Sequence, residues 1–247
     1  MYCCLLVGFV PVYAAETIRI TNGEWQPFLS EHAPHYGFAS HIVTEAFALL
    51  GVEVEYGFFP WKRSMELAKK GRWDGTAVWS ETEERKEDFY YTDAVAHQRL
   101  YLFHLRNFPF DWNTLEDLRG TKIGGTVEYS YGEEFDAAEK AGVIFIDRAS
   151  KDEQGLRKLL KGRIEVFAGE IMVTYEQARD VFSEEEAASI THNITPIDER
   201  PMFLLLSKAV EGNERLRDLF NQGLNLLKDS GRYDQIITDG IAGKYAK

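Results

Sequence analysis

The chain has 247 residues, a formal net charge of −12 at pH 7 and 45% hydrophobic residues. That length and apolar content suffice for one or two domains with cores of their own. The acidic excess argues against nucleic-acid binding, because a negatively charged protein surface repels the phosphate backbone.

The N-terminal segment, residues 1–15, carries no charged side chain and ends in small residues. This pattern predicts a secretory signal peptide that is cleaved after about Ala14 or Ala15. The apolar stretch is too short to span a bilayer as a helix, which needs about 20 apolar residues. Cys3 and Cys4 both fall inside it, so the mature chain is expected to have no thiol for a disulfide. We therefore expect an exported, soluble product.

From residue 17 onward, strand patterns alternate with helix patterns. Residues 17–21 and 52–56 read as strands, whereas residues 38–50 place apolar side chains at three- and four-residue steps, as in an amphipathic helix. The helix pattern stops at Gly51, and Pro60 opens the next one. Residues 213–229 show a similar apolar stripe and predict a closing helix that ends at Gly231. This order predicts an α/β fold with crossover helices.

The most informative stretch of the chain is residues 71–93. An apolar run at 76–79 predicts a buried strand, and Ser80 with Glu83 has the S-x-x-E spacing of a helix-capping box. Free backbone N–H groups at a helix start attract anions, and the planar guanidinium of Arg85 suits a carboxylate. These features favour a clamp for a small anion. The other interpretation is that Arg85 is a solvated charge among acidic neighbours.

The same S-x-x-E spacing occurs elsewhere in the chain, so by itself it predicts the first turn of a helix and nothing more. A binding role for Arg85 therefore needs further support. The other pairs are Ser130 with Glu133, Ser150 with Glu153, and Ser183 with Glu186.

Three motifs lie in the stretch around Arg85: Gly71-x-x-Asp74-Gly75, Ser80-x-Thr82-x-x-Arg85 and Phe89-Tyr-Tyr-Thr-Asp93. Together they resemble the family 3 extracellular solute-binding proteins, the periplasmic receptors for polar amino acids in ABC import. In that family the arginine grips the α-carboxylate of the ligand, and the serine and threonine positions add hydrogen bonds. The resemblance therefore implies ligand-binding roles for Ser80, Thr82 and Arg85.

The resemblance implies four further ligand-binding residues. Trp25 matches an aromatic residue that covers the ligand, although it could instead be a hydrophobic lid over its own loop. Ser130 and Tyr131 match hydroxyl positions that hold the ligand carboxylate from the opposite lobe. Glu170 matches an acid, usually aspartate, that binds the ligand amino group; the alternative is an exposed acid at a strand end. Tyr129 stands where the family usually has glycine, which could narrow the pocket or change the ligand.

The resemblance also implies a two-lobed periplasmic-binding-protein-like α/β fold of type II, with two mixed sheets, crossover helices and a two-strand hinge. Lobe I is expected to be discontinuous and to comprise residues 16–104 and 197–247. Lobe II is expected to comprise residues 105–196. The chain should cross between the lobes near residues 103–107 and 192–198.

The function implied by the resemblance is that of a periplasmic solute-binding protein. It would close around a small carboxylate-bearing ligand, expected to be a polar amino acid, and deliver it to an ABC permease in the inner membrane. We expect a monomer without a cofactor or a metal, because His32, His35 and His41 lack the acid-rich spacing of a metal site.

Two other functions remain open at this point. Cyclohexadienyl dehydratases share the expected fold, and there a pocket glutamate acts as a general acid, a role that Glu170 in place of aspartate could serve. The second alternative is a ligand-free sensor or interaction module, for which no ligand-sized cleft is expected. The common hydrolase, zinc-protease and nucleotide motifs do not occur in the sequence.

Overall fold

The computed structural model describes residues 16–127 and 129–246. The predicted signal peptide, with Cys3 and Cys4, lies outside these residues. Within them, no helix has the length and apolar character needed to cross a membrane.

The strands are β1 (Glu16–Asn22), β2 (Val52–Phe58), β3 (Gly75–Trp79), β4 (Phe89–Leu105), β5 (Ile123–Thr126), β6 (Ile146–Ala149), β7 (Val166–Glu170) and β8 (Ile190–Ser207). The helices are α1 (Phe38–Ala48), α2 (Trp61–Lys69), α3 (Glu83–Asp88), α4 (Glu133–Lys140), α5 (Asp152–Leu160), α6 (Ile171–Val181), α7 (Glu184–Ser189), α8 (Asn213–Asp229) and α9 (Arg232–Ile241).

The strands form one eight-stranded sheet in the order β2-β1-β3-β8-β4-β7-β5-β6. At one end of the sheet β1 is parallel to β2 and β3, and we call these three strands the first half of the sheet. At the other end β5 is parallel to β6 and β7, and we call these three strands the second half. The predicted fold class is confirmed, with the difference that the two expected sheets share β4 and β8 and are therefore continuous.

The two central strands connect the halves. β4 has 17 residues and β8 has 18, and they run antiparallel to each other. The N-terminal part of β4 pairs with the part of β8 that lies beside β3, whereas residues 100–103 of β4 pair with β7. The two segments in which the chain was predicted to cross between the lobes, residues 103–107 and 192–198, both overlap these strands. The residue limits of the two lobes stay predictions.

Strand direction makes the carboxyl ends of the two parallel groups face each other. β3 is antiparallel to β8, and β8 is antiparallel to β4, so β3 points along β4 toward the second half. β7 is antiparallel to β4 and therefore points back toward the first half. Ligands of open α/β sheets bind beyond the carboxyl ends of strands. The fold thus places two such ends around one central gap.

The apolar stripes predicted on the helices are confirmed as parts of the core. The predicted helix 38–50 ends at Ala48, and the apolar residues of its predicted stripe are buried except Leu50, which lies beyond the helix and is half-buried. On α8, which covers the predicted residues 213–229, the stripe packs against α1. The ring centroids of Phe47 and Phe220 lie 5.1 Å apart at this contact. The buried stripe residues are Ile42, Val43, Ala46, Phe47, Leu216, Phe220, Leu224 and Leu227.

Gly223 lets helices α1 and α8 approach closely. A Cβ at this position would lie 2.0 Å from the carbonyl oxygen of Ala46. Because a backbone oxygen cannot rotate away, we expect Gly223→Ala to push the helices apart and to lower the free energy of unfolding by about 2 kcal/mol, net of the gain of about 1 kcal/mol in helix propensity. Urea denaturation measures this difference. Asn225→Ala, on the exposed side of α8, is the control and should not destabilise. If Gly223→Ala and Asn225→Ala were equally stable, the close approach of α1 and α8 at Gly223 would be contradicted.

The predicted capping box at Ser183 forms, with reciprocal hydrogen bonds to the third helical residue. In the second half of the sheet the two predicted boxes are wrong. The N-cap of α4 is Gly132 rather than Ser130, and the N-cap of α5 is Lys151 rather than Ser150. Each helix begins one or two residues later than the spacing requires, so the serine lies too early to reach the N3 amide.

Candidate functional site

A cavity of about 330 Å³ lies in the central gap between the two halves. This volume is at the lower end of the range for ligand pockets and fits a ligand of amino-acid size. Four of the seven predicted site residues are in its wall, together with the middle of the two long strands. The lining residues are Trp25, Gln98, Leu100, Tyr129, Ser130, Tyr131, Asp152, Glu170, Val173 and Arg200.

Glu170 is the last residue of β7 and the N-cap of α6. Its Oε2 accepts hydrogen bonds from the backbone N–H groups of Met172 at 2.8 Å and Val173 at 2.9 Å. Its Oε1 is buried without a hydrogen-bond partner in the described chain, and the residue is only 8% exposed. The alternative of an exposed acid is therefore wrong. Burial raises the pKa of the Glu170 carboxyl to about 7. A cation in the cavity would satisfy the free oxygen and favour the ionised form.

Ser130 and Tyr131 lie in the wall of the cavity formed by the loop before α4. The Tyr131 ring is buried, and its hydroxyl oxygen accepts a hydrogen bond from the backbone N–H of Thr126 at 2.6 Å. Ser130 is exposed and donates its hydroxyl proton to Asp136, which also accepts from the backbone N–H of Tyr131 at 2.9 Å. Both hydroxyl groups thus already hold the loop in place, and Tyr131 ties it to the end of β5.

Trp25 lies in the loop after β1 and forms the first-half wall of the cavity. Its backbone exchanges two hydrogen bonds with Leu29, at 2.8 and 2.9 Å. Its indole stacks on the Phe28 ring with centroids 4.0 Å apart and an interplanar angle of 2°. One face of the indole is therefore covered by its own loop. The packing expected of a lid over its own loop is present, and Trp25 also lines the cavity, but its predicted contact with a ligand stays a prediction.

Strand β3 ends in a bulge next to the gap. Its register with β8 shifts between Thr76 and Trp79. Within this bulge Val78 has a φ of 62°, a left-handed conformation that is strongly disfavoured for a β-branched residue. Strained residues of this kind cost of order 1–3 kcal/mol and cluster at ligand sites. The bulge sets the direction in which the chain leaves the sheet toward α3.

Arg85 lines a second cavity, of about 340 Å³, that also contains Trp61 and Trp79. Its Nη1 donates to the carbonyl oxygen of Ser80 at 2.7 Å and to the Ser80 hydroxyl at 3.2 Å. Its guanidinium carbon lies 4.9 Å from the centroid of the Trp79 ring. The side chain is half-buried between these contacts, and its predicted role in binding a ligand stays a prediction. Thr82, not Ser80, is the N-cap of α3, because the Thr82 hydroxyl accepts from the Arg85 backbone N–H at 3.3 Å.

The predicted site residues therefore form two groups. Trp79, at the end of β3, lies opposite Phe203, which pairs with Ala94 of β4. Glu170, at the end of β7, pairs with Leu100 of β4. The six residue steps from 94 to 100 correspond to about 20 Å along the strand. This backbone span exceeds the length of an amino acid, so closure of the two halves would help both groups to contact one small ligand.

Sequence reasoning missed three polar residues of the central cavity. Gln98 and Arg200 face each other in the register of β4 and β8, and Arg200 is ion-paired with Asp198. Asp152 is the first residue of α5, accepts a hydrogen bond from the Thr126 hydroxyl, and has its pKa raised by burial. Asp152 follows the carboxyl end of β6. Because ligands of open α/β sheets bind beyond such strand ends, its position in the sequence could have predicted a binding role. No local sequence pattern could have identified Gln98 and Arg200, because only the pairing of β4 with β8 brings them to the cavity.

Two of the three histidines near the N-terminus, His35 and His41, contact each other, and His41 also contacts the C-terminal part of the chain. The His41 ring hydrogen-bonds through Nδ1 to the Tyr245 hydroxyl at 2.7 Å and through Nε2 to Glu45 at 2.8 Å. The His35 ring stacks on it with centroids 3.8 Å apart. Across residues 16–127 and 129–246, no group of three or more His, Cys, Asp or Glu side chains is arranged to hold a metal ion.

Solved structures of low sequence identity share the fold of this chain. The L-cystine solute receptor of Neisseria gonorrhoeae, in its unliganded open conformation, matches with a TM-score of 0.76 and 18% identity over 94% of this chain and 96% of that chain. Substrate-binding domain 2 of Lactococcus lactis GlnP, in its open conformation, matches with a TM-score of 0.74 and 18% identity over 96% and 97% of the two chains. A histidine kinase sensor domain with similarity to periplasmic binding proteins matches with a TM-score of 0.56 and 18% identity over 91% of this chain and 96% of that chain. At these identities the likeness establishes the fold alone.

Sequence-level comparison identifies the family. No curated protein matches the chain significantly. The family model of the bacterial extracellular solute-binding proteins, family 3, matches residues 18–239, nearly the whole described chain. The resemblance carried by the motifs around Arg85 is thus confirmed, and the chain belongs to family 3 of the bacterial extracellular solute-binding proteins.

Proposed function

We propose that this protein captures a small amino acid, or a related molecule with a carboxylate and an ammonium group, in the central cavity. The observation that carries the proposal is Glu170, a buried acid in the wall of a cavity of amino-acid size, whose Oε1 has no hydrogen-bond partner among the described residues. The protein would act as a monomer in the periplasm and deliver its ligand to an ABC permease of the inner membrane. No covalent chemistry is needed for this function.

Closure of the two halves is the step that would bring both groups of site residues to one ligand. The long strands β4 and β8 are the connections on which such a hinge motion would turn. In the closed form Glu170 would hold the ligand ammonium group, Arg85 would hold its carboxylate, and Trp25 would cover it. Charge-assisted hydrogen bonds contribute about 1.5–3 kcal/mol each, and micromolar affinity needs about 8 kcal/mol. Three to four such bonds with some burial of the ligand therefore suffice.

A ligand panel tests this function directly. We expect at least one of the twenty common amino acids to raise the melting temperature of the purified protein, because a ligand that binds only the folded state stabilises it. Isothermal titration calorimetry would then give the affinity. If neither amino acids nor related carboxylates shift the melting temperature, the proposed function is wrong.

Arg85→Ala is expected to weaken binding of the active amino acid by about 10- to 100-fold, since it removes a charge-assisted contact to the ligand carboxylate. The matched control is Arg72→Ala, which removes an exposed arginine from the same half of the sheet without touching either cavity. The control should bind like the wild type. Calorimetry on both variants measures the difference, and equal affinities would remove Arg85 from the site.

The raised pKa of Glu170 also permits a second function. A general acid works best when its pKa is near the operating pH, and burial raises the pKa of Glu170 to about 7. An enzyme of the cyclohexadienyl dehydratase type would use this carboxyl to protonate a leaving hydroxyl. Turnover of prephenate or arogenate by the wild type, abolished in Glu170→Gln, would favour this function. Binding of amino acids without turnover of either compound would exclude it.

A further inference from the structure

The central cavity contains more negative charge than one ligand ammonium group requires. Glu170 and Asp152 both line it, and within the described residues neither carboxyl takes part in an ion pair. The cation that shares the cavity, Arg200, is already paired with Asp198. Of the two acids, Glu170 gives the stronger indication of a cationic ligand, because a buried carboxylate oxygen without a hydrogen-bond partner is costly unless a ligand satisfies it.

The two acids follow strands that lie two positions apart in the sheet. Glu170 ends β7, and Asp152 lies three residues beyond the end of β6, with β5 between these strands. Neighbouring strands are about 4.8 Å apart, so the ends of β7 and β6 lie about 10 Å apart. Thr126, at the end of β5, donates its hydroxyl proton to Asp152 and fixes that side chain toward the cavity wall.

We propose that Asp152 binds a second cationic group, so that the ligand is an amino acid with a positively charged side chain of the length of lysine or ornithine. This inference rests on the proposed function, since Glu170 takes the α-ammonium group. The two nitrogens of extended lysine are about 7 Å apart. With a charge-assisted contact of about 2.8 Å at each end, extended lysine reaches about 13 Å, which is enough to bridge acids that follow strand ends about 10 Å apart.

Tyr129 adds a second element that suits a cation. Its ring lines the cavity together with Asp152, and 55% of the residue is exposed, so its face is accessible to a ligand. A cation over a tyrosine face gains about 0.5–1 kcal/mol at an exposed site. Glycine, the residue expected here from the resemblance, has no ring. The replacement therefore gives the Asp152 end of the cavity an aromatic surface against which a side-chain ammonium can lie.

Asp152 could instead serve only the start of α5, where an acid complements the helix dipole. The helix already has a second acid for that purpose. Glu153 lies in the same first turn, pairs with Arg157 at 2.8 Å and does not line the cavity. The position of Asp152 in the cavity wall is thus not explained by helix stability alone, and Glu153 provides a matched control.

The test compares ligands that differ only in the side-chain charge. By calorimetry, the wild type should bind L-lysine about 10- to 100-fold more tightly than L-norleucine or N6-acetyl-L-lysine, as expected for one charge-assisted contact. Asp152→Asn keeps an oxygen for the Thr126 hydroxyl but removes the charge, so it should reduce this ratio to about 3-fold or less. Glu153→Gln should leave the ratio as in the wild type.

Each outcome decides the inference. Equal binding of lysine and norleucine by the wild type overturns it while leaving the proposed function intact, as does a preference for lysine that survives in Asp152→Asn. If no amino acid binds the wild type at all, the proposed function fails and this inference fails with it. The wild-type comparison needs no variant, so it decides the ligand class even if Asp152→Asn does not fold.

Discussion

Glu170→Gln is expected to weaken ligand binding by at least about 100-fold, the largest effect of any single substitution in the site. The glutamine can still cap α6 through its amide oxygen, but it then replaces the free Oε1 with a carboxamide NH₂, which cannot accept a hydrogen bond from an ammonium group. The ligand ammonium group would then be buried without a counter-charge, a loss that costs about 2–5 kcal/mol. Isothermal titration calorimetry with the amino acid that stabilises the wild type measures the change.

The chain offers a close control for this experiment in Glu176. It lies on the same helix, is only 5% exposed, and also has one buried oxygen without a hydrogen-bond partner in the described residues. Its other oxygen accepts from the Gln26 side chain at 2.6 Å, and it does not line the central cavity. Glu176→Gln should therefore retain the affinity of the wild type. Equal losses in both variants would mean that burial of the acid, and not contact with the ligand, is what matters.

The unliganded protein is expected to lose stability relative to Glu170→Gln as the pH rises from about 4.5 to about 7. Burial raises the pKa of Glu170 from its ordinary value of 4.5 to about 7 in the folded state. Below pH 4.5 both states are protonated, and the contribution is fully present. As the pH rises, the unfolded state releases its proton first, so the contribution is lost through a pH of about 7. One pKa unit corresponds to about 1.4 kcal/mol, so the whole change is about 3 kcal/mol.

Urea denaturation of both proteins at several pH values between 4 and 8 measures this dependence. Burial also raises the pKa of Asp152 and Glu176, and these groups change stability in the same direction. Subtracting the Glu170→Gln curve from the wild-type curve removes their contribution, because both residues are present in each protein. A difference that does not change with pH would mean that the folded-state pKa of Glu170 is close to 4.5.

Both expectations follow from one physical feature. A carboxyl that is desolvated and incompletely hydrogen-bonded destabilises the folded protein when ionised, and the same carboxyl binds an ammonium group strongly because water does not compete for it. The variant that removes the charge should therefore be more stable at neutral pH and nearly inactive in binding. Such a trade-off between stability and function is common at binding sites.

Local patterns in the sequence were sufficient to predict an α/β fold and its helices α1 and α8, whereas the two-lobed fold class was implied by the family resemblance. The apolar steps on α1 and α8 predicted the buried stripes, because helix periodicity depends only on residues a few positions apart. The motif around Arg85 led to the family, which the match over residues 18–239 confirms. The capping residues were predicted less well: Thr82 caps α3 where Ser80 was expected, since a shift of one or two residues changes which hydroxyl reaches the amide.

Taken alone, the sequence determined the α/β elements, the family and four residues of the central cavity, among them Glu170. Only the tertiary structure decided that Arg85 lies in a different cavity from Glu170, and that Asp152 joins Glu170 in one wall. It also decided that Glu170 is buried, which sets its pKa. The physical reason is distance along the chain. Gln98 and Arg200 face the same gap although about a hundred residues separate them, and burial, strand pairing and the shape of a cavity depend on such contacts, which no local pattern records.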